Sequence, residues 1–198
     1  ESGTFDGLRF SLVIIGLTAA HAANNILNDV TDHLRGVDRD DAFRTRYGTQ
    51  PVEQGFMTPS QARVLAVVTL VPGLLAGAAL IWIVGPPITP FFASGVLLVF
   101  FYNWPLKHYG LGEPTVIAVW GPLMVGGGYL SITGEWSTNA ALLSIPFALG
   151  PTTVLFGKHT DKIPWDRPKG VRTMPVLLGR LWARNVTVGL IACQYISL

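Results

Sequence analysis

The sequence has few charged residues and a single cysteine. Charged side chains make up 13% of its 198 residues and hydrophobic ones 49%, whereas an ordinary soluble domain carries about 25% charge. The shortage of charge excludes a typical soluble domain, and the lone Cys193 excludes an internal disulfide. The apolar segments also lack the strict alternation of a membrane β-barrel. These absences indicate an integral membrane protein built from helices.

What the sequence has instead is long apolar runs. A helix needs about 17 to 25 largely apolar residues to cross a membrane. Six runs approach or reach that length, at 8–30, 62–84, 88–104, 114–132, 140–157 and 181–198. We therefore predict an all-α, polytopic transmembrane bundle of six helices. Because the chain starts without a methionine and ends inside an apolar run, we expect one transmembrane domain, residues 1–198, that is truncated at both ends.

The basic residues are distributed unevenly among the connections. If the runs are successive spans, the connections 31–61, 105–113 and 158–180 share one face, and every Lys and Arg except Arg9 lies there or at its margins. The short opposite connections carry no basic residue. The positive-inside tendency then places the basic face in the cytoplasm. The high content of Ala, Gly, Val and Arg is compatible with a prokaryotic plasma membrane.

Three polar clusters end spans on this basic face. The first closes span one, and spacings of four, three and four place its polar side chains on one helical stripe: His21, Asn25, Asn28 and Asp32. The others, 102–107 and 158–166, close spans three and five. A stripe that is merely hydrogen-bonded to other helices is an alternative, but carboxylates at membrane depth are costly and usually functional. The convergence of three distant segments predicts a site.

The acidic residues of these clusters are typical of a magnesium site. Hard divalent cations prefer carboxylate and amide oxygens, and Asn28 and Asp32 lie one helical turn apart. Asp161 and Asp166 supply a second pair, and we expect Pro164 to break the helix between them. Metal ions and basic side chains together suit a diphosphate, although a solvated basic loop would have the same nearby cations: Lys158, Lys162, Lys169 and Arg172.

Four segments, in this order, carry a resemblance to a known family. They are Asn28-Asp29-x-x-Asp32 with Gly36-Val37-Asp38, then 54–59, then Tyr102-x-x-Pro105 with 110–113, and finally 161–166 with 170–179. They resemble the two aspartate motifs and two connecting segments of the UbiA superfamily of intramembrane prenyltransferases, in its menaquinone-type branch of 1,4-dihydroxy-2-naphthoate polyprenyltransferases. The resemblance implies that the six runs are helices two to seven of a nine-helix fold.

The resemblance also implies a reaction and its residues. A polyprenyl group would pass from an allylic diphosphate to an aromatic acceptor, such as a dihydroxynaphthoate or a hydroxybenzoate, within the membrane lipid. Two Mg²⁺ ions would be bound by Asn28, Asp29, Asp32, Asp38, Asp161 and Asp166. Catalysis would depend on Asp32, Asp161 and Asp166. Substrate contacts would come from Asn25, Tyr102, Lys107, Lys158, Lys162 and Arg172. No nucleic-acid partner is expected.

The second motif departs from the usual pattern of that branch. Its aspartates are five residues apart instead of four, and Gly157-Lys158-His159-Thr160 precedes them where Asn and Arg are usual. The acceptor could therefore differ from a naphthoate, and His21 or His159 could act as a base toward a phenolic acceptor. Two other functions stay open: a terpene cyclase of the same superfamily, which needs no acceptor, and a membrane transporter.

Overall fold

The computed structural model describes residues 5–37 and 48–197. Within these ranges the regular structure is entirely helical, which confirms the all-α prediction. The α-helices are α1 (Gly7–Leu34), α2 (Pro59–Val84), α3 (Thr89–Phe101), α4 (Gly112–Ala118), α5 (Gly127–Thr133), α6 (Thr138–Asp166), α7 (Met174–Leu178) and α8 (Arg180–Ile196). Short 3₁₀ turns cover Pro86–Ile88 and Leu106–Tyr109, and a π-helical segment, Val119–Gly126, joins α4 to α5.

Four helical stretches are long and apolar enough to cross a membrane. They are α1, α2, the continuous stretch Gly112–Thr133, and α6. The shorter apolar stretch Pro86–Phe101 corresponds to the third predicted run. α8 forms the sixth run, but it has only 17 residues. All six predicted runs are thus helical, and four of them reach spanning length in the described part of the chain.

The long helices begin where the sequence supplies side chains to cap them. The Asp6 side chain accepts a hydrogen bond from the backbone at the start of α1. At the start of α2, Thr58 and Gln61 form a reciprocal capping box, and Pro59 occupies the first turn. Ser137 caps α6 in the same way as Asp6 caps α1. These caps satisfy backbone N–H groups that have no partner within a helix.

α1 and α2 pack closely because small residues line their contact. A Cβ atom added at Gly73 would lie 3.1 Å from the Ala19 Cβ and 3.3 Å from the Gly16 carbonyl oxygen. Ala23 and Ala62 are also fully buried. Small residues allow membrane helices to approach each other closely, since lipid provides no hydrophobic force for their association.

The π-helical segment bends the fourth predicted run. Gly121 has non-helical backbone angles (φ −100°, ψ −108°), and Pro122 follows it inside the segment. A Cβ at Gly121 would lie 3.2 Å from both the Ala148 Cβ and the Ser144 Oγ of α6. Because Gly121 has no side chain, the bent backbone packs directly against α6. Pro122 has no backbone N–H, so one helical hydrogen bond is missing at the bend.

The prediction that Pro164 breaks α6 is wrong. The helix continues through this proline to Asp166. Membrane helices tolerate a missing backbone hydrogen bond when neighbouring groups stabilise the turn, and here Ile163 packs in a buried cluster with Ala183 of α8. On a continuous helix, side chains five residues apart point about 140° away from each other. Asp161 and Asp166 therefore do not form the converging pair that was expected.

Three connections meet at the basic end of the bundle. The backbone N–H of Arg172 donates to the His108 carbonyl oxygen at 3.3 Å. The Lys169 ammonium donates to the Val37 carbonyl oxygen at 2.7 Å. These bonds tie the connection after α6 to the connection after α3 and to the end of α1, so the predicted convergence is confirmed.

Candidate functional site

A polar cavity of about 120 Å³ lies where the three connections meet. Its wall comes from the C-terminal half of α1, the segment after α3, the C-terminal half of α6 and the loop that follows it. The lining residues are Asn24, Asn25, Asn28, Val37, Tyr102, Lys107, Leu155, Lys158, His159, Lys162, Asp166 and Val171. Seven of the residues predicted from sequence to contact substrate or metal therefore line one space: Asn25, Asn28, Tyr102, Lys107, Lys158, Lys162 and Asp166.

On the α1 side, three oxygen atoms converge on one ammonium group. Lys107 Nζ donates to Asn28 Oδ1 at 2.9 Å and to the two carboxylate oxygens of Asp32 at 3.0 and 2.8 Å. The Asn28 amide also donates to Asp32 Oδ2 at 3.3 Å. The one-turn spacing seen in the sequence thus places both side chains on the same face of α1. Asp32 is fully buried, and the Lys107 ammonium compensates its buried negative charge.

Amide side chains fix α1 against the end of α3. Asn24 donates from Nδ2 to the Val99 carbonyl oxygen at 3.1 Å. Asn103 donates in the opposite sense, from Nδ2 to the Asn24 carbonyl oxygen at 3.2 Å. These two bonds hold the segment that carries Lys107 in register with the polar stripe of α1. Asn25 lies on the same stripe and contacts His21 through Nδ2 and Nε2 at 3.2 Å.

On the α6 side, Asp166 and two lysines face the same cavity. Asp166 is 2% exposed, and its Oδ1 lies 3.6 Å from Lys162 Nζ. That oxygen accepts no hydrogen bond from any residue that the structure describes. Lys158 also lines the cavity and is exposed to solvent. A buried carboxylate oxygen without a hydrogen bond is a candidate ligand for a cation.

The remaining predicted residues lie outside this arrangement. Asp161 is exposed on α6 and does not line the cavity. Arg172 is also exposed, and the structure shows its backbone, not its side chain, in contact with the connection after α3. Asp29 accepts a hydrogen bond from the Val52 backbone at 3.2 Å, which holds the segment before α2 against α1. Asp38 lies outside the described residues.

The sequence did not reveal the contact between a buried acid, Glu113, and a buried imidazole, His159. Glu113, at the start of α4, lies 2.7 Å from His159 Nδ1, and both side chains are nearly inaccessible to solvent. The second Glu113 oxygen accepts a hydrogen bond from the Met174 backbone at 3.4 Å. Glu113 therefore joins α4, α6 and α7, and it fixes one imidazole nitrogen of a residue that lines the cavity. In the sequence, Glu113 stood out only as part of the segment 110–113 and His159 only as a candidate base, and nothing paired the two.

Two titratable groups follow the end of α3: Tyr102, which is half-buried and lines the cavity, and His108, which is buried. Burial, together with the charges of Glu113 and Asp32, raises the pKa of the Tyr102 phenol far above its usual value. The phenol therefore stays protonated and can donate a hydrogen bond into the cavity. Burial, and then the Lys107 ammonium, lowers the pKa of His108 below its usual 6.5. His108 is therefore neutral at physiological pH.

The donor set of the cavity fits magnesium bound together with a phosphate ligand. Among residues 5–37 and 48–197, no three His, Cys, Asp or Glu side chains cluster closely enough to hold a metal by themselves. However, the Asn28 and Asp32 oxygens already converge on one cation, and Asp166 offers a carboxylate oxygen without a hydrogen bond. Magnesium is commonly bound by one or two carboxylates plus substrate phosphates, which is what this set can provide.

A second, apolar cavity of about 150 Å³ adjoins the polar one. It lies between α1, α2, α3 and the stretch from the π-helical segment into α5. Asn24 lines the polar cavity and bonds to the backbone of Val99, which lines the apolar one. Ala20, one turn before Asn24, also lines the apolar cavity. The site therefore combines a cationic and acidic chamber with an apolar chamber.

The whole chain, residues 1–198, matches the UbiA prenyltransferase family. It is 26% identical over 184 residues to the "UbiA prenyltransferase domain-containing protein 1 homolog" of Drosophila melanogaster, covering 86% of this chain and 49% of that protein. It is 26% identical over 203 residues to the Dictyostelium discoideum protein, covering 100% and 62%. It is also 26% identical over 184 residues to the "1,4-dihydroxy-2-naphthoate octaprenyltransferase" of Haemophilus influenzae, covering 88% and 59%.

The chain thus spans about half to three-fifths of the length of these curated relatives. The fold is similar to that of a UbiA homolog from Archaeoglobus fulgidus whose structure was solved bound to GPP and Mg²⁺. That similarity has a TM-score of 0.71 at 19% identity and covers 98% of this chain and 66% of the other. The family match, which extends over every residue, agrees with the fold. This chain belongs to the UbiA prenyltransferase family.

Proposed function

We propose that this protein transfers a polyprenyl group from an allylic diphosphate to an aromatic acceptor, within the membrane and with magnesium. The observation that carries this proposal is a polar cavity lined by Asn28, Asp166 and three lysines, one of which, Lys107, is paired with the buried Asp32, beside an apolar cavity. The polar cavity suits the diphosphate, and the apolar cavity suits the prenyl tail. The A. fulgidus homolog of similar fold, whose structure was solved bound to GPP and Mg²⁺, supports a prenyl diphosphate and magnesium as ligands.

The magnesium ligands in this proposal come from the two sides of the polar cavity. Asn28 and Asp32 would bind one ion from α1, and Asp166 would bind another from α6. Asp29, Asp38 and Asp161 stay proposed ligands of lower rank, because the first is bonded to a backbone amide, the second lies outside the described residues and the third is exposed. When bound, magnesium would neutralise charge on the diphosphate leaving group.

Other side chains of the cavity would bind the diphosphate of the donor. Lys107, Lys158 and Lys162 would contact the diphosphate oxygens, and the protonated Tyr102 phenol would donate a hydrogen bond to them. Asn25 would complete the polar wall. As the carbon–oxygen bond breaks, its electron pair would leave with the diphosphate, and the allylic carbon would become cationic.

The acceptor would then supply the electrons for the new bond. A ring carbon of an electron-rich hydroxylated aromatic would attack the allylic cation, and the proton from that carbon would pass to a base. His159, fixed at Nδ1 by Glu113, and His21, beside Asn25, are the two imidazoles near the path. The H. influenzae relative supports a dihydroxynaphthoate as the acceptor, which would place this protein in quinone biosynthesis.

The orientation of the active site is part of the proposal. The polar cavity lies at the basic end of the bundle, and the positive-inside tendency supports a cytoplasmic location for that end. The curated relatives come from animals, a slime mould and a bacterium, so a prokaryotic origin stays a prediction.

The test uses the full-length protein in lipid nanodiscs with geranylgeranyl diphosphate, magnesium and a panel of dihydroxynaphthoate, hydroxybenzoate and hydroquinone acceptors. Mass spectrometry would follow products while a coupled assay follows diphosphate release. We expect a prenylated acceptor that forms with magnesium and fails to form with a chelator. Glu135→Gln, an exposed carboxylate on the opposite connection, is the matched control for variants of the cavity carboxylates and should keep full activity.

Two results would contradict the proposal. Release of diphosphate with a cyclic hydrocarbon or alcohol, and no acceptor adduct, would identify a terpene cyclase. If the folded protein released diphosphate from none of the donors, the assignment of an allylic diphosphate as its donor would be wrong.

A further inference from the structure

The Lys107 ammonium lies among the oxygen atoms of the α1 side. Its Nζ is 2.9 Å from Asn28 Oδ1 and 3.0 and 2.8 Å from the two carboxylate oxygens of Asp32. The lysine side chain is 10% exposed and the aspartate side chain 1%, so solvent has little access to the contact. These are the same oxygen atoms that the proposed function assigns to a magnesium ion. Two cations are therefore assigned to one set of ligands.

The two cations exclude each other at these oxygens. Magnesium binds oxygen at about 2.0 to 2.1 Å in a nearly ideal octahedron, and the ammonium already lies within hydrogen-bond distance of all three atoms. An ion bound there would put a divalent charge beside the ammonium, in a buried site where salt screens charges only weakly. Lys107 must therefore leave these oxygens when an ion binds to them.

The buried charge of Asp32 makes loss of the lysine contact costly. The Asp32 side chain is fully buried, and removing one partner of a buried ion pair is strongly destabilising. Lys107 is such a partner in this structure. Release of the lysine is therefore most favourable when another cation takes its place. Lysine and metal would exchange at Asp32 and not bind it together.

Lys107 has a fixed backbone and a side chain that can turn. Its backbone N–H donates to the Tyr102 carbonyl oxygen at 2.9 Å. Gly112 packs against the base of the side chain, because a Cβ there would lie 3.3 Å from the Lys107 Cα and 3.7 Å from its Cβ. Beyond that base the lysine has a flexible four-carbon stem, and the residue lines the polar cavity. The ammonium can therefore turn from the α1 oxygens toward the cavity by side-chain rotation.

We propose that Lys107 is an exchangeable cation, which holds the Asn28 and Asp32 oxygens before the donor binds and yields them to magnesium as its ammonium moves to the diphosphate. The exchange rests on the proposed function, from which it takes its donor and its metal. No covalent bond changes in it. The incoming diphosphate offers strong hydrogen-bond acceptors to the displaced ammonium. Donor and metal therefore favour each other's binding through one side chain, and this coupling is reciprocal.

The test variant is Lys107→Met, which removes the ammonium and keeps an unbranched, flexible side chain. Lys158→Met is the matched control, because it removes the same charge from an exposed residue that lines the same cavity. A further variant combines Lys107→Met with Asp32→Asn, so that the carboxylate is changed as well. Each variant is made in the full-length protein and studied in lipid nanodiscs.

Electron paramagnetic resonance measures the Kd of Mn²⁺, used in place of Mg²⁺, with and without a non-hydrolysable allylic diphosphate analogue. Without the analogue, Lys107→Met should bind Mn²⁺ about tenfold or more tightly than the wild type, because a like charge no longer competes with the ion. The control should stay within about threefold of the wild type, since solvent screens the charge of an exposed lysine. The variant that also carries Asp32→Asn should lose the gain.

With the analogue, the difference between wild type and Lys107→Met should shrink. The analogue should raise the Mn²⁺ affinity of the wild type by about tenfold more than it raises that of Lys107→Met, because only the wild type has a competing lysine to move. A lysine that only held the site together would give the opposite result without the analogue. Its loss would disorder the ligands and weaken the binding of Mn²⁺.

The stability of the variant gives a second measurement. Lys107→Met leaves the buried Asp32 charge less compensated, so its melting temperature should fall without metal and recover when Mn²⁺ is added. If this variant does not fold, Lys107→Gln carries the same prediction, because it removes the charge and keeps a hydrogen-bond donor for Asp32.

Three results would contradict the exchange. Mn²⁺ binding by Lys107→Met that is equal to or weaker than that of the wild type, without the analogue, would overturn it and leave the proposed function in place. An equal gain in Lys158→Met would do the same, because it would show a general effect of charge. A wild type that binds no Mn²⁺ even with the analogue would overturn the magnesium assignment in the proposed function and, with it, the exchange.

Discussion

The two sides of the polar cavity contain the same kinds of residue in different arrangements. On the α1 side, Asn28 and Asp32 are four residues apart, and their oxygens converge on Lys107. On the α6 side, Asp161 and Asp166 are five apart on an unbroken helix, so one is exposed and the other is buried. A spacing of four residues thus places two side chains on one face of a helix, whereas a spacing of five places them on different faces. The two motifs are therefore expected to contribute unequally.

The largest expected effect comes from the converging side. Asp32→Asn removes the charge that faces Lys107 and one of the proposed metal ligands while keeping the size of the side chain. We expect kcat/KM for diphosphate release to fall by about a thousandfold, the upper range for loss of one electrostatic group in an active site. The measurement is single-turnover diphosphate release in nanodiscs. Activity near that of the Glu135→Gln control would contradict the assignment of Asp32.

The second-largest expected effect distinguishes the two aspartates of the second motif, Asp161 and Asp166. We expect Asp166→Asn to reduce kcat/KM by about a hundredfold, because Asp166 is buried in the cavity wall, and Asp161→Asn to reduce it by less than about tenfold, because Asp161 is exposed. The same release assay measures both variants side by side. Equal losses in the two variants would mean that α6 rearranges when substrate binds, and a larger loss for Asp161→Asn would reverse the order argued from burial.

A smaller effect concerns what holds the α6 side in place. Glu113→Ala would leave His159 Nδ1 and the Met174 backbone N–H without their partner. We expect the free energy of unfolding to fall by about 1 to 3 kcal/mol, the cost of unsatisfied buried polar groups. Thermal unfolding in detergent measures the change, with Glu135→Ala as the exposed control. A melting temperature equal to that of the control would show that the Glu113 contacts contribute little.

The smallest effect is a dependence on pH at the junction of the two sides. His108 accepts a hydrogen bond at its carbonyl oxygen from Arg172, and burial lowers its pKa below 6.5. Between the lowered pKa and 6.5 the unfolded chain binds more protons than the folded one, so stability falls as pH decreases through that window and is constant above it. We expect the melting temperature to fall less between pH 7 and pH 5 in His108→Gln than in the wild type. Equal slopes would contradict this.

The helices and the meeting of the polar clusters could be predicted from sequence because both depend on local pattern. Apolar runs set the helices, and the spacing from Asn28 to Asp32 placed them on one face. Contacts across the bundle could not be read in this way. Nothing in the order of residues pairs Glu113 with His159 or brings Lys107 to Asp32, since these contacts depend on how separate helices pack.

The wrong prediction at Pro164 has a specific physical cause. Proline removes one backbone hydrogen bond, and in water this often ends a helix. Here the same turn buries Ile163 against α8, and the rest of a long apolar helix continues to favour the helical backbone. The packing along the whole of α6 therefore outweighs the helix-breaking tendency of one proline. As a result, Asp161 is exposed instead of facing the cavity.

The most direct test of the central proposal is to count the metal ions bound on the two sides of the cavity. Electron paramagnetic resonance of Mn²⁺, used in place of Mg²⁺, would be recorded on the full-length protein with a non-hydrolysable allylic diphosphate analogue. We expect two bound ions in the wild type, and one in each of Asp32→Asn and Asp166→Asn. Two bound ions in both variants would contradict the assignment of these carboxylates as the ligands that face each other across the site.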